Sequence, residues 1–329
     1  MTSTDTLAPS APNPAAPLVS VIMPAYNAAP FILESVTTVL SQDYPHLELI
    51  VVDDGSSDGT PELVQDLDPR VRLLRQRNAG PAAARNRGIA EARGELLAFL
   101  DADDLWLPGK LRRQVAFLQA HPEVSIVYGG FLRWFERPDG SFPPLPAPRG
   151  EDAPDEACEA AQSGWIYTAL LMDNIVHIIT AVIRRRVVEE IGSFDPSLQT
   201  GEDYDFWLRA SRRFQAVKLA RTLAFYRMQA SSTTQRPRRD NNELRVLKAA
   251  LASHGSVGPD GQVAAAAALQ ERLFMLNFSH GYMHIRSGSA QVAQAAFREA
   301  TRVRPGHLKS WLYLLASGLK RLIAPGNCR

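Results

Sequence analysis

Cysteine is scarce. Cys158 and Cys328 are the two in 329 residues, one in an acidic, Pro-rich stretch and one near the last residue. That is too few and too scattered for a disulfide framework or a thiolate metal cage, so a reducing compartment is the simpler expectation. Long apolar runs are also lacking. Ile175 to Ile183 and Trp311 to Ala316 are shorter than the ~18 residues of a membrane span or broken by polar side chains, and a soluble, cytoplasmic chain is expected. Charge of one sign is missing too. Lys and Arg number 36 against 35 Asp and Glu, a formal charge of +1. No global field draws in nucleic acid, and recognition of phosphate must be local. The first seventeen residues have neither a basic start nor an apolar stretch. They read as a disordered lead, not a signal peptide.

From Leu18 onward, β-branched runs alternate with helical periodicities: LVSVIMP then Phe31 to Gln42, LELIVVD then Thr60 to Leu67, VRLL then Pro81 to Ala92, ELLAFLD then Pro108 to Ala120. Continuous apolar runs such as Leu49 to Val52 suit strands covered on both faces, so the pattern predicts an α/β fold around a doubly wound, mostly parallel sheet. A strand at Val124 to Tyr128 leads into Arg137 to Glu156, an irregular loop dense in Pro, Gly and acids. A helix near Trp165 to Met172, a strand near Ile178 to Ile183, helices over Arg185 to Ile191 and Tyr204 to Arg213, and strands over 214 to 229 follow. From 240 to 325 the composition turns Ala-rich and helical, with helices predicted at 240–253, 263–286, 289–303 and 307–323. Part of this module resembles a single tetratricopeptide-like helix pair. The boundaries expected are a lead to 17, a catalytic domain over 18–235 and a helical module over 240–325.

In doubly wound sheets, ligands lie beyond the carboxyl ends of the strands, and the acids of this chain fall there. Asp53 and Asp54 end the second strand in VVDDGSSDGT, which reads equally as a turn with Asp58 or Thr60 capping the next helix. LDADDL sets Asp101, Asp103 and Asp104 close together at the end of the fourth strand. Carboxylates this close repel unless a cation joins them, and Mg²⁺ or Mn²⁺ binds through a few carboxylates plus substrate phosphates. A cap on the helix opening at Pro108 is the other reading of Asp103 or Asp104. Arg85, early in the third helix, is placed to compensate a diphosphate.

Together, PAYNAAPFILESVTTVLSQDYPHLELIVVDDGSSDGT, NAGPAAARNRGIAEARGELLAFLDADDLW and GEDYDFWLRA resemble the family 2 glycosyltransferases of GT-A type, over about residues 18 to 230. The resemblance implies that Pro24, Ala25, Tyr26 and Asp53 line the base and ribose of a nucleotide, and that Arg85 reaches the nucleotide. It implies that Asp101 opens the DXD motif near the ribose and that Asp103 holds Mn²⁺ or Mg²⁺ on the diphosphate. In Glu202 and Asp203, the ED motif, Asp203 is the implied general base of an inverting hexosyl transfer. Arg227 falls where related enzymes close a segment over the diphosphate. The donor expected is a nucleotide-sugar, UDP first, and the acceptor a glycan or lipid-linked oligosaccharide in polysaccharide biosynthesis.

Asp205, Trp207 and His177 stay ambiguous, with Trp207 expected in the core and His177 expected as a satisfied core histidine. The basic last helix, LKSWLYLLASGLKRLI, reads as a packed helix or as a peripheral contact with the inner face of a membrane. A nucleotidyltransferase would open with a Gly-rich loop where this chain has MPAYNAAP. The remaining alternative is an inactive nucleotide-binding or scaffold protein acting through its helical tail.

Overall fold

The computed structural model describes residues 16–229 and 237–323. Most of the expected lead, and residues 230–236 of the loop after Gln229, lie outside the described residues.

Among those described, one eight-stranded sheet runs in the order β3-β2-β1-β4-β7-β6-β8-β5. Its first half comprises β1 (Val19–Ala25), β2 (Leu47–Asp53), β3 (Val71–Arg75) and β4 (Leu96–Phe99), joined by α1 (Ile32–Leu40), α2 (Thr60–Val64) and α3 (Pro81–Glu91). Every residue of β2 and β4 is buried, and β1 is buried but for half-exposed Pro24. Helices on both faces bury these strands, and all three pairings are parallel. Gly88 lets α3 lie close on the sheet, since a Cβ there would come within 2.6 Å of Ile22. That approach carries Arg85, one turn earlier, to the sheet's carboxyl edge.

The second half is mixed. It holds β5 (Leu105–Trp106), β6 (Ile126–Phe135), β7 (Val182–Arg184) and β8 (Ala216–Met228), with β7 antiparallel to both neighbours and β6 parallel to β8. With β5 also antiparallel to β8, four of the seven pairings are parallel, so the sheet is mostly parallel as expected. Between these strands come α4 (Lys110–Ala120), α5 (Tyr167–Met172), α6 (Arg185–Ile191) and α7 (Glu202–Ala210).

Three expectations need correction. The helix expected from Pro108 begins at Lys110 behind Gly109, whose φ of +76° supplies the turn, so neither Asp103 nor Asp104 caps it. The strand expected over Ile178 to Ile183 starts as a 3₁₀ turn, because Thr180 bonds back to the His177 carbonyl through both its amide and its hydroxyl. The helix expected from Tyr204 starts at Glu202, which puts Asp203 in the first turn.

The last four helices are α8 (Asn242–His254), α9 (Ala266–Ser287), α10 (Ala290–Val303) and α11 (Leu308–Ile323). Asn241 caps α8 by accepting from the Leu244 amide at 3.2 Å, and α8 packs on α7. Arg272 of α9 ties Glu243 of α8 to Asp173, just beyond α5. The helical module is therefore braced against the elements that carry the ED pair.

Lys110 is fully buried, and among the described residues its Nζ has no hydrogen-bond partner, only the Trp106 ring at 4.0 Å. A desolvated cation on an indole face gains ~2 kcal/mol, against several kcal/mol to strip an ammonium of water. Burial accordingly drives the Lys110 pKa well below the usual lysine value. Between its lowered folded value and its unfolded value the amine is neutral in the fold and gains a proton on unfolding, so across that window the fold should gain stability as pH rises towards about 10.5. Lys110→Met keeps the volume and removes the linkage. It should melt higher than the wild type at pH 7, an advantage that shrinks by about 1.4 kcal/mol per pH unit as pH rises. Denaturant titrations at pH 7 and 9.5 check this, and a less stable variant at both would refute it.

Candidate active site

The carboxyl edge of β1, β2 and β4 forms one wall of a crevice. Ala25 stands beside Asp53 in the sheet, and the Asp54 amide donates to the Ala25 carbonyl at 2.8 Å. Asp53 is buried, accepts from the Ser56 amide at 3.1 Å and pairs with Arg75 at 3.6 Å. Tyr26 is 54% exposed, a phenol ring at the rim. Asp54 accepts from Gln76 Nε2 and from the amides of Ala79 and Gly80 at 2.8–2.9 Å. It pins the loop that starts α3 and is buried in doing so. Asp58 does not cap α2. It accepts from the Ala29 amide at 3.0 Å and from Thr60, tying the loops after β1 and β2 together.

Arg85 joins the two acidic motifs. Its guanidinium donates to Asp101 Oδ1 and to Glu202 Oε1, each at 2.6 Å, although those residues lie 16 and 117 positions away. The two carboxylates hold its charge firmly, raising its pKa against the effect of burial. Among the described residues Asp103 has no comparable ion pair, although Arg227 opposes the rise of its pKa. Its Oδ2 accepts from the neutral amide of Gln229 at 3.1 Å, and burial together with Asp101 pushes its pKa up to about 6. Asp104 is buried, accepts from the Arg227 amide at 2.7 Å, and is raised well above the usual carboxylate range by burial and its two neighbours.

The family resemblance implies a phosphate contact for Arg227. Here its guanidinium donates to the Asp103 carbonyl and to Glu34, each at 2.6 Å, between the rings of Phe31, Trp134 and Phe142 at 4.6–4.8 Å. In this state it braces the acidic loop from behind.

Asp203 lies in the first turn of α7, where the helix dipole favours negative charge. Burial raises its pKa, opposed by Arg85 and by hydrogen bonds from the Tyr204 amide at 2.7 Å and Asn174 Nδ2 at 3.3 Å. A carboxylate can only accept, so the Asn174 amide must turn its NH₂ to Asp203, and its buried Oδ1 is left without a partner. The sequence reading missed Asn174, which sits 29 residues before Asp203 in a segment with no periodicity. Asn174→Ala should lower kcat about tenfold, the low end for a bond to a charged group. KM for the donor and the melting temperature should stay near wild type. Steady-state kinetics with a melting curve check this, and an unchanged kcat would contradict it.

The three ambiguous residues separate. Trp207 is in the core, as expected. Asp205 pairs with Arg209 one turn on, at 2.8 Å. His177 is packed between Phe131 and Tyr226 at 4.3 and 4.8 Å, but its Nδ1 has no partner, so it is not the satisfied core histidine expected. Burial lowers its pKa to about 4, and Asp101 opposes that shift.

The profile described as glycosyl transferase family 2 matches residues 20–160, the stretch that builds Asp53, Arg85, Asp101 and Asp103 into this crevice. A Bacillus subtilis glycosyltransferase named for teichuronic acid biosynthesis, TuaG, is 34% identical over 217 residues, covering 64% of this chain and 79% of its own. The chain belongs to glycosyl transferase family 2. An uncharacterized glycosyltransferase of Haemophilus influenzae is 33% identical, over 66% of this chain and 78% of that protein. An uncharacterized glycosyltransferase of Rickettsia felis is 31% identical over 60% of this chain, which spans only 32% of that protein's length.

Two solved structures share the fold. Staphylococcus aureus TarS 1–349, in complex with UDP-GlcNAc, superposes with a TM-score of 0.60 at 18% identity over 92% of this chain and 88% of that one. The mannosyltransferase PcManGT of Pyrobaculum calidifontis, in complex with GDP-Man and Mn²⁺, gives 0.56 at 22% identity over 96% of this chain and 90% of its own. The family 2 fold expected from the sequence, a GT-A-type sheet followed by a helical region, is thereby borne out.

Proposed function

We propose that this family 2 chain transfers a sugar from a nucleoside diphosphate donor, UDP-sugar first, to an acceptor hydroxyl with inversion at the anomeric carbon. One observation carries the reading. Arg85 clamps Asp101 to Glu202, which gathers the DXD and ED acids into one crevice, while among the described residues Asp103 forms no ion pair.

In this reading Asp53 and its sheet neighbour Ala25, with Tyr26 at the rim, receive base and ribose, and Pro24 shapes the end of β1. Arg85 fixes Asp101 at the ribose and keeps the acids from repelling one another. Asp203 takes the proton of the attacking hydroxyl, which a carboxylate within hydrogen-bond reach does with a gain of ~10² to 10⁴ in rate. Asn174 holds that carboxylate in place. Arg227 is proposed as a phosphate contact once a donor draws it from Glu34.

The donor set at Asp103 fits a hard divalent cation. Asp103 offers carboxylate oxygens, and burial, with Asp101 adding to it and Arg227 opposing, raises its pKa, a shift that a bound cation would reverse. Among the described residues no three metal-ligating side chains converge. A bound Mn²⁺ or Mg²⁺ would therefore be shared between Asp103 and the donor diphosphate, where it would stabilise the charge developing on the leaving group. TarS with UDP-GlcNAc and PcManGT with GDP-Man and Mn²⁺ support a nucleotide-sugar and a divalent ion. A glycan or lipid-linked acceptor is our proposal from the relative named for teichuronic acid biosynthesis.

Calorimetric titration of UDP and of GDP into the wild type and Asp103→Ala, each with and without Mn²⁺, tests the reading. Metal-dependent binding that Asp103→Ala abolishes is expected. Absence of binding under every condition would overturn it.

A further inference from the structure

Helix α11 is built inside out. It packs against α10, where the Tyr313 ring stacks on Phe297 at 5.3 Å and Arg321 donates to Gln294 at 3.3 Å, and its Ser310 and Ser317 are fully buried. Its large apolar side chains point the other way: Leu308, Trp311, Leu312, Leu315 and Leu319 are 45–76% exposed. Their spacing of three and four residues lays them in one stripe about 17 Å long. Among the described residues nothing covers it. A monomer in water gains nothing by burying serine and exposing leucine, so this face is shaped for an apolar phase.

The charge around the stripe says which one. Between Arg286 and Arg321 the chain has seven basic residues and a single acid, Glu299, although its overall formal charge is only +1. Lys309 and Lys320 are exposed along one flank of the stripe, Lys320 Nζ also donating to the Ile285 carbonyl at 2.9 Å, and Arg321 is exposed on the helix's other side. Tyr282, 39% exposed on α9 with Arg286 over its ring, adjoins Tyr313 at 5.6 Å. Leucines backed by an indole and framed by lysines match the boundary between acyl chains and anionic headgroups. A second copy fits less well. One short helix face is small beside the ~1,200–2,000 Å² of a stable interface, and an antiparallel two-fold pairing would set the two lysine flanks together.

We propose that α11 docks this protein on an anionic phospholipid surface, with Leu308, Trp311, Leu312, Leu315 and Leu319 in the acyl boundary and Lys309 and Lys320 at the headgroups. No helix of the described residues is long and apolar enough to cross a membrane, so the contact is peripheral. Docking is independent of the transferase reading and is measured without any sugar nucleotide.

The test is co-sedimentation of the full chain with vesicles of phosphatidylglycerol and phosphatidylcholine, or of phosphatidylcholine alone, in low and high salt. Wild type should bind the anionic vesicles at least tenfold more tightly than the neutral ones, and high salt should weaken that binding, since each basic side chain near the surface contributes about fivefold. Leu312→Ser with Leu315→Ser should lose at least tenfold while melting like wild type, because both positions are exposed. Lys309→Glu with Lys320→Glu should lose the preference for anionic lipid. Wild type left in the supernatant with anionic vesicles would overturn the proposal. So would a dimer without vesicle binding that the two serine substitutions dissociate, because the stripe would then be covered by a second copy.

Discussion

Asp203→Asn should cut kcat by ~10² to 10⁴ while leaving the donor KM within a few-fold of wild type, the signature of losing a proton acceptor used only in the transition state. The substitution keeps the size of the side chain and its bond to the Tyr204 amide, so the first turn of α7 should hold its shape. Binding of a nucleotide should survive, because Asp203 stands with Glu202 and Asn174 rather than with Asp53. A drop in kcat of less than about threefold would remove Asp203 from the base role. A drop matched by an equal rise in donor KM would place it in donor binding instead.

Arg85→Met should be the most damaging single substitution for the fold. It would strand Asp101 and Glu202, and the latter's side chain is only 9% exposed. Removing one partner from a buried ion pair costs ~3–5 kcal/mol, with the lower end apt here because Asp101 is 27% exposed. For a chain of this size that corresponds to a fall in melting temperature of about 6–12 °C. Activity should vanish as well, since the clamp holds both acidic motifs in register. Arg85→Lys separates the two effects. It restores charge but not the fork that reaches two carboxylates, so it should recover most of the stability and little of the activity. Equal stability of Arg85→Met and wild type would mean that the two acids are held by something else.

The acids at the strand ends were legible because chemistry and periodicity coincide there. A strand that reads LELIVVD ends at Asp53, and the strand in ELLAFLD ends at Phe99 with Asp101 two residues on, so both acids fall at the carboxyl edge. Arg85 could be placed on α3 from the same pattern. Its two partners could not, since only the folded chain brings Glu202 across 117 residues to meet it. Asn174 and Glu34 were missed for the same reason. One lies in a segment without period, and the other looks like an ordinary exposed acid on α1 until Arg227 arrives from β8. The cage of Phe31, Trp134 and Phe142 around Arg227 draws on segments that no local pattern connects. Lys110 reads as a solvated charge at a helix start, and only packing shows it buried against Trp106. In α11 periodicity locates the apolar stripe, but not which side of the helix meets α10.

The most direct test of the account is an anomalous difference map from crystals grown with UDP and Mn²⁺. The account predicts a peak bridging the Asp103 carboxylate and the diphosphate, with the uracil and ribose against Ala25, Tyr26 and Asp53. A nucleotide bound away from this crevice, or bound within it with no ion on Asp103 at saturating Mn²⁺, would contradict it.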